Sequence, residues 1–127
     1  MKKPRRLDCR AFHPRFEVYF LDEVTPADTA AVLRFVGQKV DLTFHDIEEL
    51  DLRTAHGLAY RPADSRVVIV QIEKGLKGVE RLTTLSHEAI HVAGYIFSHI
   101  GQPPSWDHDE VFARLHDHIF TQMLEAA

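Results

Sequence analysis

An α+β fold is predicted by three features of the sequence. Strand-like stretches crowd its first 72 residues, amphipathic helical stretches dominate the rest, and a Pro103-Pro104 pair separates the last two helices. A chain of 127 residues is long enough for one real hydrophobic core and is read as one domain. Residues 1–15 carry Lys2, Lys3, Arg5, Arg6, Arg10 and Arg15 against Asp8 alone. They are expected to form a solvated basic N-terminal arm, with a single folded domain over 16–127.

The elements follow in order. The segment FEVYFL (16–21) is rich in aromatic and β-branched residues and predicts a strand. Thr25-Pro26 with Asp28 forms a capping pattern that opens a helix carrying Ala30, Val32, Leu33 and Val36 and stopping at Gly37. KVDLTF (39–44) alternates and predicts a second strand, whereas 45–56 reads equally well in either state. GLAYRPADSRVVIVQI (57–72) predicts a hairpin about its Pro-Ala-Asp-Ser turn. After Gly75 and Gly78 come a helix from about 80 to 100 and a last one from about 106 to 124. The resulting sheet is small and mixed in its neighbours, with two helices following it.

Composition narrows the function classes. The net charge of −4 selects no polyanionic partner, and the basic arm has no aromatic platform beside it, so nucleic acid is not the expected ligand. Cys9 is the lone cysteine and allows no internal disulfide. The longest aliphatic run is 67–70, far below the roughly 20 residues of a membrane span. The apolar stretch that a leader would need after MKKPRR is broken by Asp8, Arg10, His13 and Arg15. A cytoplasmic location with no membrane contact is expected.

The chemistry concentrates in TLSHEAIHVAGYIF (83–96). His87 and His91 stand one turn apart, about 40° from each other around a helix, so both imidazoles can reach one ion. Glu88 lies about 100° round from His87, placed to take a proton from an activated water. Leu85, Ala89, Val92, Ala93, Ile96 and Ile100 share the opposite, core-facing stripe, while Gly94 and Ser98 continue the histidine side. The competing explanation is a pair of ordinary surface histidines.

Eighteen residues intervene between His91 and Glu110, which sits in DHDEVFARL (107–115). His-Glu-x-x-His with this spacing to a glutamate resembles the gluzincin metallopeptidases, and Asp109-Glu110-Val111-Phe112-Ala113 resembles the Asn-Glu-x-Phe-Ala stretch around their third ligand. The resemblance spans residues 55–120 in layout and is similar to minimal zincin domains, including short ones carried by tailed bacteriophages. It implies a zinc site of His87, His91 and Glu110, Glu88 as general base, and a peptide or protein substrate. It also implies that a strand before the motif helix lies at the sheet edge, and residues 66–72 are expected to be that strand. A metzincin pattern fails, because Phe97 stands where its third histidine would be.

Alternatives remain at each position. Asp107-x-x-Glu110 is also a helix capping box, and His108 could serve in a three-histidine set. Arg114 replaces the acid that thermolysin-like enzymes place four residues past the third ligand. Asp107, Asp109 and Asp117 are candidates to orient the imidazoles. Tyr60, Tyr95, His56 and Arg114 are candidates to stabilise an oxyanion. His116 and His118, either side of Asp117, are a far weaker second metal candidate. The rival function is a binding or assembly protein that keeps a zincin scaffold, against which the intact Glu88 argues.

Overall fold

The computed structural model describes residues 1–12, 15–52, 55–62, 65–99 and 109–126. Its strands are β1 (Arg5–Leu7), β2 (Glu17–Val24), β3 (Gly57–Tyr60) and β4 (Val67–Glu73). Its helices are α1 (Thr29–Gly37), α2 (Phe44–Glu49), α3 (Gly78–His99) and α4 (Asp109–Ala126). Among the described residues the strands form one mixed sheet in the order β1-β2-β4-β3, and the α+β class holds. β2 and β4 run parallel at the centre, with Val18 opposite Val68 and Phe20 opposite Val70. β1 and β3 pair antiparallel on the outside.

Central parallel strands are covered on both faces, which is why Val67, Val68, Ile69 and Val70 read as an unbroken apolar run. On one face Val18, Phe20, Val68, Val70 and Ile72 pack against Leu85, Ala89, Val92 and Ile96 of α3 and Leu115, Ile119 and Met123 of α4. On the other, Tyr19, Leu21 and Ile69 pack against Val32 and Val36 of α1 and against Leu50 and Leu52. The apolar stripe expected on the motif helix is therefore the face that docks on the sheet. A half-buried ion pair adds register between helix and sheet: Arg81 of α3 donates to both oxygens of the buried Asp22 at 3.0 and 2.8 Å.

Three expectations need correction. The alternation over 39–44 does not make a strand. Thr43 instead caps α2, accepting from the Asp46 N–H at 3.1 Å while its own N–H donates to the Asp46 carboxylate at 2.9 Å. That capping box ends any extended run at Thr43 and leaves Phe44 exposed on the short helix. The segment 66–72 is not an edge, since β4 is bonded to β2 on one side and β3 on the other. The edge nearest the motif helix is β3. Finally, the basic segment 1–15 is not set apart from the domain. Residues Arg5–Leu7 form β1, and Leu7 and Cys9 enter the core. Burial pushes the Cys9 thiol up to about 12, leaving it an unreactive core residue. Among the described residues no helix is long and apolar enough to cross a membrane.

Candidate metal centre

α3 supplies the centre of the site. His87 and His91 project from its exposed side, and Glu88 between them turns inward and is buried. The two Nε2 atoms face each other at 3.2 Å, with the rings nearly perpendicular at 77°. Two nitrogens about 2.05 Å from a shared tetrahedral zinc ion would be about 3.3 Å apart, so the pair fits such an ion without moving. Ligand atoms of His87, Glu88 and His91 can all come within 4.8 Å of one another, the one such group among the described residues. Among the described residues, nothing lies within 4 Å of a Cβ built on Gly94, one turn further on.

Glu88 is held by the edge strand. The Glu73 N–H donates to the His56 carbonyl at 2.9 Å, and Gly57 then faces Ile72 in the antiparallel register. Hydrogen bonding alternates along such a pair, so the backbone groups of Gly57 and Ala59 point away from β4 toward α3. The Ala59 N–H donates to the Glu88 carboxylate. One residue position away, the Tyr95 hydroxyl donates to the Ala59 carbonyl at 3.3 Å and accepts from the Arg61 N–H. Burial raises the Glu88 pKa, and the nearby imidazoles and the Ala59 amide oppose that rise only in part. A carboxyl shifted in this direction is a better proton acceptor than one in water.

Gly57 is required by this contact. A Cβ there would lie 2.8 Å from Thr84 Cγ2 and 2.9 Å from both Cγ and Oε2 of Glu88. The strand and the helix can approach so closely because neither atom set meets a side chain at position 57. A cleft of about 380 Å³ opens beside this point, lined by His56, Gly57, Thr83, Thr84, His87 and Glu88.

The other sequence candidates lie elsewhere. Glu110 stands in the first turn of α4 and is exposed, outside the His87–Glu88–His91 group, and its carboxylate accepts from Arg114 Nε at 3.2 Å. Asp107 and His108 fall outside the described residues. Asp109 is exposed at the start of α4, and Asp117 faces the ring of His116, at 3.3 Å, rather than either motif histidine. His116 Nε2 lies 3.1 Å from the Ser86 carbonyl and 3.2 Å from its hydroxyl, so this ring fastens α4 to α3. His118 turns to the backbone carbonyl of Asp8 at 2.5 Å, and among the described residues the two histidines join no second metal group.

Two features escaped the sequence. One is the closeness of Gly57 to Glu88. The other is the partner of His56, whose Nδ1 lies 2.6 Å from Glu73 Oε2. A glycine at the start of a strand was the one available signal for the first, and nothing local announced the second. Comparison of the chain with known protein families, with curated proteins and with solved structures finds no match. The residues themselves must carry the functional reading.

Proposed function

We propose that this protein is a zinc-dependent hydrolase of the minimal gluzincin-like type, cleaving peptide bonds. His87 and His91 are the nitrogen ligands, Glu110 is the third ligand, and Glu88 is the general base. The observation that carries the reading is the 3.2 Å separation of the two Nε2 atoms beside a buried glutamate of raised pKa. A carboxylate in a purely structural metal site has no reason to be held against an edge strand by a backbone amide.

Zinc bound there would supply Lewis acidity, polarising a carbonyl and making water acidic near neutral pH. The chain's own work is proton handling. Glu88, oriented by the Ala59 N–H, takes a proton from the attacking water on its carboxylate and returns it to the leaving nitrogen. Glu110 must exchange its partner Arg114 for the ion. α4 packs on α3, so this asks for a side-chain movement in the first turn of α4.

Metal analysis and peptide hydrolysis test the reading together. Wild-type protein should hold one zinc per chain, and His87→Ala and His91→Ala should lose it. Glu88→Gln should keep the zinc while hydrolysis falls by roughly 10²–10⁴-fold. A Glu88→Gln protein without zinc would make Glu88 a ligand and end this assignment. The pairing of Glu110 with Arg114 favours one alternative, a zincin-scaffold binding or assembly protein. In that case Glu110→Ala leaves zinc content unchanged and Glu88→Gln leaves function intact.

A further inference from the structure

We propose that His56 is the residue that stabilises negative charge on the substrate carbonyl oxygen, with Glu73 as its positioning residue. The inference rests on the hydrolase reading and deepens it. Addition of water to a peptide carbonyl forms a C–O bond and drives the carbonyl electron pair onto oxygen. Glu88 takes the water proton. Collapse breaks the C–N bond, and that proton leaves with the amine, so His56 gives a hydrogen bond and transfers nothing. A donor aimed at that oxygen is worth roughly 10²–10³-fold in rate.

Four side chains could have met the need, and the structure separates them. The Tyr60 hydroxyl donates to the buried Asp46 carboxylate at 2.6 Å. The Tyr95 hydroxyl is taken by the Ala59 carbonyl at 3.3 Å. Arg114 stands on α4, beside Glu110, and is not among the residues that line the cleft with His87 and Glu88. His56 alone of the four lines the cleft that His87 and Glu88 also line.

Its two nitrogens have different tasks. Nδ1 lies 2.6 Å from Glu73 Oε2, and this bond orients the ring and places a proton on Nδ1. The nearest charged partner of Nε2 is Glu80 Oε1 at 3.7 Å, beyond a hydrogen bond. Nε2 therefore keeps its hydrogen-bonding capacity, on a residue that lines the cleft. Glu73 and Glu80 both favour the charged imidazole, and only the charged ring offers a donor at each nitrogen. The backbone is fixed as well, because the His56 carbonyl accepts from the Glu73 N–H at 2.9 Å.

The test uses zinc-loaded full-length protein and an N-capped tripeptide phosphonamidate, whose tetrahedral anionic group imitates the charged oxygen. Calorimetry should show His56→Gln binding this probe roughly 10²-fold more weakly than wild type, with zinc content unchanged. Tyr60→Phe should bind it as wild type does. In ¹⁵N-detected spectra the probe should shift His56 Nε2. Glu73→Gln should redistribute the ring proton between the two nitrogens, a signature that loss of packing alone would not produce. Equal affinity for wild type and His56→Gln, or a silent His56 Nε2, overturns the assignment and leaves the hydrolase reading standing. A wild-type protein that binds no zinc, or binds zinc and ignores the probe, overturns both.

Discussion

Replacing Gly57 with alanine tests how closely β3 lies on α3. The position has no positive φ, so the backbone accepts alanine without strain. If space were available, Gly57→Ala would stabilise the fold by about 0.4–1 kcal/mol by restricting the unfolded chain. The added methyl would instead meet Thr84 Cγ2 at 2.8 Å and Glu88 Cγ and Oε2 at 2.9 Å. Overpacking of this kind costs about 1–3 kcal/mol, so the sign of the effect reverses. For a domain of this size each kcal/mol moves Tm by roughly 3–5 °C. Thermal unfolding followed by circular dichroism should therefore place Gly57→Ala roughly 3–15 °C below wild type. Gly37→Ala is the control, because nothing among the described residues lies within 4 Å of its Cβ, and it should be neutral or stabilising. In a Glu88→Ala background two of the three close approaches disappear, and the double-mutant cycle should recover about 1 kcal/mol. A Gly57→Ala protein as stable as wild type, or more so, would refute the contact.

Other outcomes follow from separate parts of the molecule. Arg81→Ala should cost about 1–3 kcal/mol in denaturant unfolding, because the buried Asp22 carboxylate loses its bidentate partner but keeps the Glu23 N–H at 2.9 Å and Lys2 at 3.9 Å. The His56 ring should titrate above its ordinary 6.5 in NMR, Glu73 being the main cause, and fall back in Glu73→Gln. With a folded pKa above the unfolded one, the pair's contribution to stability is complete below about 6.5 and is lost as pH rises through the folded value. Arg114→Ala should raise zinc affinity by less than about fivefold, since it removes only an exposed competitor for Glu110. Weaker zinc binding would mean that Arg114 does not compete with the ion for Glu110.

The parts of the fold and site that sequence discloses are those with a local period. The four-residue step from His87 to His91 puts both rings on one helix face, and the apolar stripe of α3 predicts which face the sheet covers. The β3–β4 pair is likewise announced by two β-rich runs and a turn. What is hidden depends on register or on competition between local signals. His56 and Glu73 are 17 positions apart and meet only because β3 pairs antiparallel with β4. Val40, Leu42 and Phe44 imitate a strand, but the Thr43–Asp46 capping box outweighs their alternation. A three-residue strand such as β1 is too short for a period, and its arginines disguise the burial of Leu7. The spacing that points Glu110 at the ion competes with a second local signal, the four-residue helical step that pairs it with Arg114.

The outer border of β3 has a consequence for how this protein meets other chains. Unpaired strand borders invite a second chain to continue the sheet, and proteins that leave them bare risk fusing into aggregates. Here α3 occupies the border with side chains: Glu88 takes the Ala59 N–H, and Tyr95 takes the Ala59 carbonyl and the Arg61 N–H. A guest strand must displace these residues before it can pair. The Ala59 amide has one hydrogen to give, so any chain that wins it necessarily releases the Glu88 carboxylate from its tether.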